Sequence, residues 1–310
     1  MKTNANERFD INNVSAVAGI EDSNLGHIEF HTISECEITR ENLERMLISH
    51  GFEKYLPKEI SPSDAFRRAT TDIQKSKVES ATPDLYLNYL VREVYSDRFE
   101  IIRKIVVETV DKAGKTLSYK PEEATIRYDK KADTVEYKAS SYITEELIDE
   151  AITLFEKHKV TYNSRHIREM CFNILSELSP ISVKPSGGVY FVPASYTREL
   201  KEFISLVNEL GESEAYKIPL MRNNENADMV RKKLQDHIKS AIWEAADYLK
   251  NPGFDKSNAN QKLALVKKVV TDFSEYQRVL QDELADMDDS LSLLKMQAQK
   301  IVERLTDIEK

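Results

Sequence analysis

Cysteine is nearly absent from this chain. Cys36 and Cys171 are the only two in 310 residues, and they sit in unrelated contexts. A disulfide framework is therefore excluded, and two ordinary thiols point to a cytosolic, cytoplasmic protein. Glycine (8) and proline (9) are also few, which excludes collagen-like and low-complexity chains. Apolar runs are short, far below the roughly 20 residues that a membrane-spanning helix needs. The opening MKTNANERFDINNVSAVAGIEDSN has neither the apolar core of a signal peptide nor the Arg-rich, acid-poor composition of a transit peptide. It reads as a polar tail over residues 1–26. Net positive charge is missing too. The 44 Lys and Arg stand against 53 Asp and Glu, for a net charge of −9. Broad nucleic-acid binding usually needs a basic domain to neutralise phosphates, so this balance argues against that class.

What is present is a globular composition, 41% hydrophobic and 31% charged, in a chain long enough for one or two cored domains plus an extension. The pattern predicts an α+β protein: an antiparallel sheet with flanking helices, then a long C-terminal helical hairpin and coiled coil. The globular body is expected over residues 27–220. It comprises an α/β segment (27–80), an antiparallel meander (82–140), and helices with a Gly-rich hairpin (141–220). The helical part follows over 225–310.

Within the body, GHIEFHTI (26–33) reads as a strand with Ile28 and Phe30 on one face. Thr39 caps a helix that Gly51 stops, and a second helix over Asp64–Lys75 buries Ala65, Phe66, Ala69 and Ile73. From Tyr86 to Tyr137 the texture turns to Val, Ile and Tyr, which predicts an antiparallel meander of about four strands. Alternation puts Ile101, Arg103, Ile105, Val107 and Thr109 on one face of its second strand. Thr144 reads as the N-cap of the next helix, and a further helix from Ser164 carries Cys171 in its core stripe, where an inert thiol is expected. ISVKPSGGVYFVP then reads as strand, turn and strand, with Gly187 and Gly188 supplying positive φ. Two helices followed by a hairpin resemble the back half of a winged helix, although the third helix is missing.

Charge offers candidate partner-binding residues. Arg67 and Arg68 are adjacent on a short helix, where they could clamp a phosphate bidentately or pair with local carboxylates. The stretch 157–201 carries Lys157, Lys159, Arg165, Arg168, Lys184, Arg198 and Lys201 against Glu169, Glu177 and Glu199. Arg165, Arg168 and Lys184 are its candidate contacts for nucleic acid or another acidic partner. No catalytic arrangement stands out. Ser186-Gly187-Gly188 lacks the following Gly-Lys-Ser/Thr of a phosphate loop and is not a nucleophile elbow. His27 and His31 lie near Cys36, but no second pair of zinc ligands accompanies them. The reading is of a non-enzymatic protein with no metal and no cofactor.

The clearest periodic signal lies near the end. With Leu263 at position a, the a and d positions run to Leu305 and Ile308, and only Gln277 among them is polar. A period of 3.5 is that of a coiled coil. The preceding helix, 226–250, spans ~38 Å against ~69 Å for 263–308, so it covers the second arm only to about Leu280. Leu284, Met287, Leu291, Leu294, Ile301, Leu305 and Ile308 would then overhang as an oligomer seam, predicting a homo-oligomer. Like-charged pairs that a parallel dimer would create favour an antiparallel or intramolecular arrangement instead. The acidic run Asp282, Glu283, Asp286, Asp288 and Asp289 reads as a solvated helix face.

SPSDAFRRAT (61–70), YLVREV (89–94) and KPSGGVYFVP (184–193), in this order and followed by a coiled-coil tail, resemble an uncharacterised family found in phages, plasmids, bacteria and archaea. The similarity covers residues 27–305. It implies a mobile-element setting and carries over no catalytic residue. The leading expectation is a binding or assembly protein whose partners are a host or phage protein complex and further copies of the chain. The alternative is a nucleic-acid-binding protein using the basic stretch 157–201, and a third reading is an enzyme of unrecognised class.

Overall fold

A computed structural model describes residues 24–184, 188–250, 256–280, 284 and 287–308. The chain divides into two compact units. One is the continuous segment Glu35–Met170. The other joins the described parts of Met1–Ser34 and Cys171–Lys310. The expected body over 27–220 therefore does not hold as one piece, because its first strand belongs with the C-terminal half. Gly187, the Asn251-Pro252-Gly253 turn, most of the polar tail, and Asp282, Glu283 and Asp286 lie outside the described residues.

The Glu35–Met170 unit is built on a five-stranded antiparallel sheet whose strands follow chain order: β3 (Lys75–Glu79), β4 (Leu85–Ser96), β5 (Glu100–Asp111), β6 (Thr116–Asp129) and β7 (Thr134–Ala139). The meander was legible. Its edge strand β3, charged and interrupted where Lys77 takes φ +57°, was not. Two helices cover one face of the sheet, α2 (Pro62–Asp72) and α3 (Tyr142–Val160). The rings of Phe66, Tyr128 and Phe155 meet there at 5.2–5.9 Å. As the alternation predicted, Ile101, Arg103, Ile105 and Val107 all point into this core. Ser61 caps α2, and the start of α3 is corrected by one turn: Ser141 is the N-cap, and Thr144 completes a capping box with it. A short antiparallel pair, β2 (Glu37–Thr39) with β8 (Thr161–Asn163), joins α1 (Arg40–Ser49) to the end of α3. Thr39 caps α1 as expected, accepting from the Asn42 amide. Helix α4 (Ser164–Ser176) begins in this unit.

The other unit has a four-stranded antiparallel sheet in the order β11-β1-β10-β9: β1 (Asn24–Thr32), β9 (Ile181–Ser182), β10 (Val189–Pro193) and β11 (Glu214–Met221). The Gly-rich hairpin is thus no wing, since β10 is a central strand hydrogen-bonded to β1. Gly188 does take positive φ, +59°. Helix α5 (Thr197–Asn208) packs on one face of this sheet, setting Phe203 edge-on to His31 at 5.5 Å. Facing it along β1 are His27, Glu29 and His31, alternate residues on one side of a strand. The edge strand β11 is guarded: Asn208 accepts from the Ala215 amide at 2.8 Å and donates to its carbonyl at 3.3 Å, while Pro219 offers no donor.

The other sheet face meets a bundle of three helices, α6 (Asn224–Lys250), α7 (Lys256–Leu280) and α8 (Asp288–Ile308). Here the sequence reading is corrected. The heptad pattern does not form one long helix. It divides into α7 and α8, and α8 folds back against both α6 and α7. Leu284, Met287, Leu291, Leu294 and Ile301 are buried in this intramolecular core, and Leu305 is half-buried against it. The seam proposed for oligomerisation is therefore occupied by the chain's own helices, and the side chain of Ile308 lies outside the description. A three-helix bundle buries the same apolar stripe that a coiled coil does, so periodicity could not tell the two apart.

Candidate functional site

The site begins with two carboxylates, Glu35 just before β2 and Glu37 at its first residue. Glu37 binds the guanidinium of Arg68 and the ammonium of Lys157, and lies 4.0 Å from His158. Glu35 accepts from Ser164 at 2.6 Å and pairs with Arg168 at 2.8 Å. These bonds hold the carboxyls of both residues below the usual carboxylate range, Glu37 chiefly through Lys157 and Glu35 chiefly through Ser164 and Arg168. Arg68 also donates to the Thr161 carbonyl at 3.0 Å. Arg67 grips Glu93 with two nitrogens, at 2.8 and 3.2 Å, and reaches Ser96. Lys159 pairs with Asp133 and Glu156. His158 contacts Asp72 at 2.8 Å.

The candidate basic residues are thus mostly neutralised where they stand. Arg67, Arg68 and Arg168 each have a carboxylate, and Lys184 belongs to the other unit. Arg165 differs: it is exposed and, among the described residues, makes no ion pair.

Arg165 lines a cleft of about 480 Å³ between the first turns of α2 and α4. Its apolar floor is Ile60 and Ala65, and Asp64, Arg68, Asn163, His166 and Glu169 complete the walls. Buried Tyr162 on β8 fixes the approach to α2, because its hydroxyl lies within 3.0 Å of the Pro57 and Lys58 carbonyls. Asn163 fixes the start of α4 by accepting from the His166 amide at 3.3 Å. Nδ1 of His166 lies 2.6 Å from that same oxygen and 3.3 Å from the Asn163 amide, which donates to it. Burial, with Arg68 and Arg165 nearby, lowers the pKa of His166, so the ring is neutral at physiological pH. Sequence reasoning singles out Arg68 and Arg165 but does not bring Glu35, Glu37 or Asn163 to the site. Glu35 lies more than a hundred residues from Ser164 and Arg168 on α4, and Glu37 reaches Arg68 on α2 and Lys157 on α3, so nothing local marks either pairing.

A zinc site at His27 and His31 is not available. Four residues of extended strand separate their Cα atoms by about 13 Å. Among the described residues no group of three His, Cys, Asp or Glu side chains is placed to hold a metal ion. Nor, among them, is any helix long and apolar enough to cross a membrane.

Two α+β units, one with a polar, charge-balanced cleft, define the class. The chain belongs to the family of unknown function DUF6744, which matches residues 24–307. No curated protein and no solved structure matches it.

Proposed function

We propose that this is a non-enzymatic binding protein that acts through protein–protein contacts, with the cleft beside Arg165 as a contact site. The observation that carries this reading is the internal pairing of the arginines. A nucleic-acid surface needs guanidiniums and ammoniums free to replace counterions on phosphate, whereas Glu35, Glu37 and Glu93 already occupy Arg168, Arg68 and Arg67. Mixed charges around a polar cleft suit a protein surface, where complementary charge sets specificity. A mobile-element setting, as the motif resemblance implies, would make that partner a component of a host or phage complex.

The test compares two assays on the full chain. With duplex DNA, single-stranded DNA and RNA at physiological salt, no salt-sensitive gel shift is expected. The immobilised chain should retain a discrete protein partner at near-stoichiometric yield, and Arg165→Glu should abolish that retention. A shift that weakens in the Arg165→Ala, Arg168→Ala double variant and loses salt dependence would overturn the proposal in favour of nucleic acid.

A further inference from the structure

Resting on that reading, we propose that the cleft recognises an extended peptide segment carrying an acidic and a basic side chain two residues apart. The spacing comes from α4. Arg165 and Glu169 stand one turn apart on the same helix face, about 6 Å along its axis. In an extended peptide, residues i and i+2 project to the same side about 6.7 Å apart. One acid and one base at that separation therefore meet Arg165 and Glu169 together. Among the described residues neither has an ion-pair partner of its own, so neither must break a bond to engage.

The rest of the cleft agrees with a peptide and disagrees with an anion. Arg68 is committed to Glu37 and to the Thr161 carbonyl, so it is not available to a ligand. Asp64 adds a second carboxylate to the walls. With Arg165 as the one unpaired cation among the lining residues, a phosphate would face two carboxylates. Ile60 and Ala65 supply an apolar floor for side-chain stems. The volume, about 480 Å³, lies within the roughly 300–1,000 Å³ typical of ligand pockets.

The experiment uses fluorescein-labelled hexapeptides with Glu-Ala-Lys, Lys-Ala-Glu, Glu-Ala-Glu, Lys-Ala-Lys and Gln-Ala-Gln cores, titrated by anisotropy against the full chain up to millimolar concentration. One mixed-charge peptide should bind at least tenfold more tightly than the three others that lack opposite charges. Arg165→Glu alone should remove that binding. The Arg165→Glu, Glu169→Arg exchange should restore it with the preference between Glu-Ala-Lys and Lys-Ala-Glu reversed. Both side chains are exposed, and matching thermal melts of the variants will verify that they fold. If every peptide binds equally or not at all while Arg165→Glu still abolishes partner retention, this inference falls and the protein-binding reading stands. If partner retention is also indifferent to Arg165→Glu, both fall.

Discussion

Buried titratable groups on β1 give this protein a pH response that single residues can report. His27 is 5% exposed and Glu29 is fully buried. Among the described residues, His27 Nδ1 and Glu29 Oε2 have no hydrogen-bond partner. Burial, then the Lys217 charge, pushes the His27 pKa down to about 4. Burial raises that of Glu29, against the opposing pull of the His31 ring 2.7 Å from Oε1. The two act in opposite directions. A base with a depressed folded pKa contributes stability that is present above its unfolded pKa and lost as pH falls toward the folded one. For His27 that window runs from 6.5 down to about 4. The raised carboxyl of Glu29 contributes stability present below its unfolded pKa of 4.5 and lost as pH rises through its folded value. His27→Gln should therefore lose less stability than the parent on acidification across that window, by on the order of 2–3 kcal/mol. Urea midpoints at pH 4.5 and 7 measure it, and parallel slopes in the two proteins would refute the assignment.

At the scale of elements, the bundle of α6, α7 and α8 makes the sharpest prediction. Leu294 is fully buried within the chain's own core. Leu294→Ala should cost about 2–5 kcal/mol, and the drop in melting temperature should be the same at 2 and 200 µM protein. A loss that shrinks at high concentration would mean that the seam lies between copies. The sequence showed this stripe clearly but not what covers it. One signal was available and read differently. Asp288 and Asp289 fall in the first turn of α8, where carboxylates favour a helix start. The charge pattern alone places them on the solvated face of a longer helix. Capping and alternation were legible where the causes are local, at Thr39, in the Asp64–Ile73 stripe and along β5. Other features depend on remote partners and left no local trace. Ala215 pairs with Asn208 across a loop, Glu37 reaches Arg68 and Lys157, and Arg103, on a sheet face, donates to the Arg67 carbonyl at 2.6 Å and to Thr70 and Thr71.

For the whole molecule, the main fact is that one unit is assembled from both ends of the chain. Deleting residues 24–32 should collapse the unit that contains α6–α8 while leaving Glu35–Met170 folded, because β1 is the central strand between β10 and β11. Limited proteolysis would show a surviving fragment near that continuous segment, and a fully resistant C-terminal bundle would contradict the expectation. The same placement sets an order of events in time. During synthesis β1 emerges first, yet its partner β10 follows about 160 residues later, a wait of roughly 8–30 s at 5–20 residues per second. Throughout that interval the strand is unpaired on both edges, with Leu25, Ile28 and Phe30 uncovered, while the continuous unit can complete its fold. The Asn208 and Pro219 guard on the final edge arrives only with β11. Until then β1 is the part of this chain most open to chaperones and to mispairing with another nascent copy.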